Sequence, residues 1–155
     1  VIGGGELLEE LKRLAADLGI ADRVTFLGPR PHAEVKQRLR DAHVFVLPSV
    51  GARDGDLEGI PVALMEAMAA GLTVVSTYHS GIPELIEDQK TGFLAPERDV
   101  AALTGKLSWI AENPKLCEPI ALAARKKIEA DFNADMLNER FAQMATQLCK
   151  MRSPV

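Results

Sequence analysis

Glu58 and Glu66 stand eight residues apart in the stretch Asp56-Leu57-Glu58-Gly59-Ile60-Pro61-Val62-Ala63-Leu64-Met65-Glu66-Ala67-Met68-Ala69-Ala70-Gly71, one ahead of a helix start and one inside the helix. At ~1.5 Å rise per residue, that separation spans up to ~12 Å, comparable to the reach from a hexose through a diphosphate to a ribose. Between the carboxylates, Gly59 lets a ligand approach the backbone, and the helix N-terminus offers N–H groups and a positive dipole end to an anion. The pattern suits a molecule with hydroxyls at both ends and an anion in the middle. Taken alone, such a pair reads more simply as a helix cap and a solvated glutamate. Its setting overrides that simpler reading and calls for a ligand or a partner, because Glu66 is embedded in Val62-Ala63-Leu64-Met65-Glu66-Ala67-Met68-Ala69-Ala70, where an unpartnered charge would be costly.

The elements that must hold these groups follow from the hydrophobic pattern. Short β-branched runs alternate with stretches of helical period, which predicts parallel strands covered by helices. Strands are expected at Val1-Ile2, Val24–Phe26, Val44–Leu47, Thr73–Ser76 and Phe93-Leu94. Helices are expected over Glu6–Leu18, His32–Asp41 and Pro61–Ala70, with Gly19 and Gly71 as stops and Pro61 at the first helical position. In the first of these, Leu7, Leu8, Leu11, Leu14, Ala15 and Leu18 share one face, expected to be a core face. A short helix is expected near Pro83. Beyond Pro96 the pattern is helix upon helix, over Asp99–Glu112, Pro114–Ala130 and Ala134–Lys150, with Met151 to Val155 as a tail. Val1-Ile2 entering Gly3-Gly4-Gly5 reads as the end of a strand, which predicts that a strand and helix precede it.

With 155 residues, 47% of them hydrophobic, the chain can bury a core without disulfides, and one α/β domain is expected. A net charge of -4 and a pI near 5.4 argue against a nucleic-acid binder. Cys117 and Cys149 lie in no metal-ligand spacing and read as reduced thiols, hence a cytosolic setting. No apolar run approaches the ~18 to 20 residues of a membrane span, and no segment reads as a signal peptide.

Glu58 and Glu66 with Glu-Gly-Ile-Pro at their start are similar to the E-x7-E signature of family 4 GT-B glycosyltransferases. Gly3-Gly4-Gly5, Val24-Thr25-Phe26-Leu27-Gly28, Val46-Leu47-Pro48-Ser49, and Ser80-Gly81-Ile82-Pro83-Glu84 followed by Thr91-Gly92-Phe93 resemble further landmarks of that family, in its order. The resemblance covers essentially the whole chain, and Arg53 to Pro61 looks most like enzymes of bacterial exopolysaccharide assembly, including the colanic-acid type. It implies the donor-binding C-terminal half of a GT-B fold: a Rossmann-like parallel sheet sandwiched by helices, with a C-terminal helical extension. Residues 1–150 would form that domain, its first strand-helix unit and the N-terminal acceptor domain being absent.

The resemblance also implies roles. Glu58, the residue nearest the chemistry, would bond hydroxyls of the donor sugar; Gly59 and Ile60 would present N–H groups to sugar or diphosphate; Glu66 would hold the ribose. Arg53 would face the leaving diphosphate or simply be solvated, Gly4 would approach the donor phosphates or simply make a tight turn, and Gly28 and Arg30 would flank the base, Arg30 reading equally as a loop arginine. Asp54-Gly55-Asp56 imitates the metal-binding D-x-D of GT-A enzymes. GT-B relatives use basic groups and a helix dipole instead, so no metal and no cofactor are expected. Ser80 reads as a helix cap, His79 as satisfied or exposed, Glu84 as a supporting group, and Arg125-Lys126-Lys127 as a solvated face.

The implied activity is retaining transfer of a hexose from a nucleotide diphosphate sugar to a glycan or lipid-linked acceptor bound by the N-terminal domain. The enzyme is expected in the cytoplasm, with peripheral association at the inner membrane face as a variant. Competing readings are a GT-B-like epimerase or phosphorylase, and a non-enzymatic nucleotide-binding domain.

Overall fold

The run Thr73–Thr77 is buried along its whole length. Successive strand residues point to opposite faces, yet Val74 and Val75 are both fully buried, so the sheet is covered on both sides. The computed structural model describes residues 1–51 and 59–152. Arg53, Asp54, Gly55, Asp56, Leu57 and Glu58 lie outside the described residues, and so does the start of the expected Glu58-to-Glu66 pair. The chain divides into two compact units, Val1–Ala42 and His43–Val155.

The first unit contains α1 (Leu8–Asp17), a 3-10 turn (Ala21–Arg23) and α2 (His32–Asp41). Val24–Phe26 does not form the expected strand, and Val1-Ile2 contributes only a bridge between Ile2 and Gly28. Three bonds hold these extended segments together: Val1 N to Thr25 O at 2.6 Å, Leu27 N to Val1 O at 2.9 Å and Gly3 N to Gly28 O at 3.0 Å. That pairing is too short for a regular ladder. The apolar face of α1 is also not the core face expected: Ala15 is buried and Leu8 half-buried, but Leu7, Leu11, Leu14 and Leu18 are exposed. A unit of this length has too little other surface to bury such a stripe.

The second unit holds β1 (Val44–Leu47), β2 (Thr73–Thr77) and β3 (Phe93–Ala95), parallel and in the order β1-β2-β3. Between them run α3 (Val62–Ala69) and α4 (Ile82–Leu85), followed by α5 (Val100–Glu112), α6 (Pro114–Asp131) and α7 (Ala134–Arg152). Parallel neighbours need crossovers, and α3 supplies the one from β1 to β2. It packs on β2 and on α6, while α5 packs on β3. Val75, Phe93, Ile110 and Cys117 form one core cluster, flanked by Val44, Leu103, Leu107 and Ile120. Cys117 is a buried thiol whose pKa burial pushes up, and Cys149 is an exposed one.

Local signals set the helix ends. Pro61 is the residue before α3 and not its first turn, with extended backbone at φ -62° and ψ 122°. At the other end Gly71, at φ 82°, donates to Met68 O, and Leu72 donates to Ala67 O. This reverse turn takes up the last carbonyls in a left-handed conformation that glycine adopts without steric cost. Asp99 caps α5 through Ala102 N at 2.9 Å. α7 continues through Arg152, so the expected tail begins as helix. Among the described residues no helix is long and apolar enough to cross a membrane.

Candidate functional site

In the second unit the candidate site is built where parallel strands end, the edge at which open α/β sheets bind ligands. The ladder between β1 and β2 stops at Leu47 and Ser76. Side chains then carry the chain onward: Ser76 Oγ donates to Leu47 O at 2.6 Å, and Thr77 Oγ1 donates to Ser49 O. Gly51 N donates to Glu97 Oε2 at 3.0 Å, and the Arg98 guanidinium donates to Gly51 O at 3.2 Å. The backbone at alternate residues 47, 49 and 51 is thus held by groups from β2 and from the turn after β3. Pro48, Val50, Thr77, Pro96 and Arg98 help line a small cavity of 190 Å³ at these strand ends.

His79 completes this arrangement. It is 5% exposed, and its Nδ1 lies 2.7 Å from Glu97 Oε1. The Gly51 N–H and the His79 ring together hold the Glu97 carboxyl below its ordinary pKa. An ionised carboxylate can only accept, so Nδ1 carries the shared proton. Of the two readings open from sequence, His79 is satisfied and not exposed. Ser80 does not cap α4: the residue preceding that helix is Gly81, with no side-chain cap, and Ser80 takes a left-handed φ of 47°. Glu84 is exposed on α4.

Gly59, exposed, and Ile60, half-buried, lead into α3, and Pro61, the residue before that helix, gives it no side-chain cap. That end of α3 keeps a positive dipole suited to an anion. Glu66 lies in its second turn and is half-buried, near buried Leu64, Ala67 and Met68. The desolvation argument made for Glu66 from sequence therefore applies only in part, since α3 exposes Val62, Ala63 and Ala69. The second unit thus carries Gly59, Ile60 and Glu66 on one continuous turn and helix.

The remaining candidates belong to the first unit. Gly4 sits against the Pro29 ring, where an added Cβ would find Cγ at 3.5 Å, so the glycine turn and the Gly28-Pro29 corner are neighbours. A groove of 440 Å³ runs along Val1 to Leu8 and Leu11. Arg30 is exposed, with Nε 3.8 Å from Glu34 Oε1. Arg125 and Lys127 pair along α6 with Glu129 at 3.0 Å and Asp131 at 3.1 Å, the solvated face expected. No group of three or more His, Cys, Asp or Glu among the described residues is arranged to hold a metal.

The pair that sequence reading missed is His79 with Glu97. Its signal lies in register: Val75 opposes Phe93 and Thr77 opposes Ala95, so continuing the same offset past the strand ends sets 79 beside 97. Alternation and composition carry no register, and the signal appears only once β2 and β3 are aligned.

A parallel sheet covered on both faces, with a glycine-bearing turn leading into a helix at its C-terminal edge, places the second unit in the open α/β class. The family described as Glycosyl transferases group 1 matches residues 1–127, and the chain belongs to that family. It is 47% identical over 148 residues to the amylovoran biosynthesis glycosyltransferase AmsK of Erwinia amylovora, covering 96% of this chain and 36% of AmsK. It is 46% identical over 149 residues to WcaL of Escherichia coli strain K12, a glycosyltransferase whose name ties it to colanic acid biosynthesis, covering 96% of this chain and 37% of WcaL. The chain therefore spans little more than a third of these relatives. The fold is shared with Anabaena Alr3699/HepE, solved in complex with UDP, at a TM-score of 0.84 and 24% identity over 94% of this chain and 40% of HepE. The expected GT-B half is thus the fold observed.

Proposed function

We propose that this chain is the donor-binding part of a longer glycosyltransferase. That enzyme transfers a hexose from a nucleoside diphosphate sugar to a glycan or lipid-linked acceptor in bacterial surface polysaccharide assembly, with retention of anomeric configuration. Membership of the glycosyl transferases group 1 family carries the reading, and the 47% identity to a protein named for amylovoran biosynthesis supports the pathway class. Since the chain spans 36% of that relative, the acceptor site is assigned to the remainder of the enzyme.

Glu58 bonds the sugar hydroxyls, Gly59 and Ile60 offer their N–H groups to the sugar or diphosphate, and Glu66 holds the ribose. In the second unit, Arg53 and the N-terminus of α3 face the diphosphate; in the first unit, taken by itself, Gly4 is proposed for phosphate contact and Gly28 and Arg30 for contact with the base. The chemistry asked of these groups is stabilisation of charge on the departing diphosphate, for which a helix N-terminus and a guanidinium are suited without a metal. The N-terminus of α3, which Pro61 leaves without a side-chain cap of its own, supports this assignment. Peripheral attachment to the cytoplasmic membrane face belongs to the same reading.

Calorimetric titration of the intact protein with UDP, GDP and dTDP and their sugars tests it. A nucleoside diphosphate and its sugar should bind at one site, and product NMR should show a retained anomer. Binding to none of the panel would remove the donor-binding role.

A further inference from the structure

Both described ends of the connection from β1 to α3 meet one turn of the fold. At the leading end, Gly51 is held by Glu97, whose other oxygen is held by buried His79. At the trailing end, Gly81 is pressed against Ile60 and Gly59: a Cβ built on Gly81 would lie 2.8 Å from Ile60 Cγ1 and 3.5 Å from the Gly59 carbonyl carbon. Gly81 has an ordinary φ of -78°, open to any residue. A side chain here would therefore displace Ile60 for lack of room, with no conformational penalty of its own. His79 links the two ends. Its side chain grips Glu97, while its backbone N–H donates to Thr77 O at 2.8 Å and its carbonyl accepts from Ile82 N at 3.0 Å, closing the turn that presents Gly81.

We propose that His79, Glu97 and Gly81 are positioning residues for donor binding. The His79–Glu97 pair fixes Gly51 and the turn that carries Gly81, and Gly81 seats Gly59 and Ile60 so that their N–H groups stand where the sugar or diphosphate binds. The proposal rests on the donor-binding reading above and adds the groups that hold its backbone donors in place. None of the three needs to touch the ligand.

The test uses the intact protein, titrated by calorimetry with UMP, GMP, UDP-glucose and GDP-mannose, each variant being checked by thermal denaturation. Gly81→Ala should weaken nucleotide-sugar binding by about tenfold, the effect of an overpacked contact of roughly 1.4 kcal/mol. Affinity for the monophosphate, which has the base, ribose and α-phosphate but neither the β-phosphate nor the sugar, should stay unchanged. Adding Ile60→Ala removes the Cγ1 that the new Cβ would strike, and the double variant should recover most of the lost affinity. His79→Phe keeps an aromatic ring but no donor, and should weaken sugar-nucleotide binding in the same selective way. His79→Asn places an amide N–H near the position of Nδ1 and should restore it in part.

Should Gly81→Ala fail to fold, the two His79 variants carry the decision. Unchanged nucleotide-sugar affinity in Gly81→Ala and His79→Phe, against a wild type that binds, would overturn the positioning role alone. Equal loss of monophosphate and nucleotide-sugar binding would also overturn it, as general damage to the turn. A wild type that binds none of the four probes, nor dTDP or its sugar, would overturn the donor-binding reading and this proposal with it.

Discussion

Glu66 and His79 show opposite relations between residue type and surroundings. Glu66 was singled out because its neighbours in sequence are apolar, yet on the folded helix it is half-buried, since only Leu64, Ala67 and Met68 of that helix are buried. Its assignment to the ribose therefore rests on the family and on its place behind the N-terminus of α3. Glu66→Ala in the intact protein is expected to weaken nucleotide-sugar binding by about 1.5 to 3 kcal/mol, the range for a charged group losing its hydrogen bonds. The fold should survive. Equal affinities by calorimetry would take Glu66 out of the site. His79 carried no clear signal in sequence, yet it is 5% exposed and bonded to Glu97. The difference is register, which residue type does not encode.

At the scale of elements, besides the apolar core, an ion pair ties the turn entering β3 to α5. Asp88, between α4 and β3, accepts from the Leu94 backbone N–H at 2.9 Å and from Lys106 Nζ of α5 at 2.8 and 2.9 Å. Burial would raise its pKa, but the bonds from Lys106, Leu94 and Gln89 outweigh it and hold the carboxyl below its ordinary value of 3.8. A carboxylate with a depressed folded pKa adds stability above the unfolded pKa, and that stability is lost as pH falls through the folded value. Asp88→Asn is therefore expected to destabilise the protein by about 1 to 3 kcal/mol at neutral pH. The gap to wild type should hold down to about pH 5 and narrow as pH is lowered through and below 3.8. Urea unfolding across this range checks it, and a gap that stays constant to the acid end would exclude the ionic contribution. The element boundaries themselves were largely legible: His32–Asp41 and Val44–Leu47 fall where the pattern placed them, and β2 runs one residue further than expected.

At the scale of the molecule, the chain accounts for about a third of each relative it matches, 36% of AmsK and 37% of WcaL. The exposed leucines of α1 and the exposed Leu137, Phe141, Met144 and Leu148 of α7 mark two apolar stripes uncovered within the described residues. Produced alone, this chain is expected to bind a nucleoside diphosphate weakly and to transfer no sugar, because acceptor positioning and exclusion of water are assigned to the rest of the enzyme. Measurable transfer by the chain alone in a product assay would show that assignment to be wrong. Turnover by the intact enzyme is expected to persist after divalent ions are stripped. Loss of activity on adding chelator, with recovery on manganese or magnesium, would return Asp54 and Asp56 to consideration as ligands.

The sequence by itself determined the α/β class, the family, the three strands of the second unit and the helices after Pro96. Each follows from local information: hydrophobic period, glycine and proline punctuation, and a short motif of fixed spacing. It also singled out Gly59, Ile60 and Glu66 as one turn and helix. Tertiary structure decided what depends on alignment between elements. The parallel offset that brings 79 beside 97, the room that only a glycine at 81 leaves for Ile60, and the exposure of the α1 leucines all depend on neighbours distant along the chain. Val24–Phe26 has strand composition yet forms no strand, since a strand is a property of two chain segments and not of one.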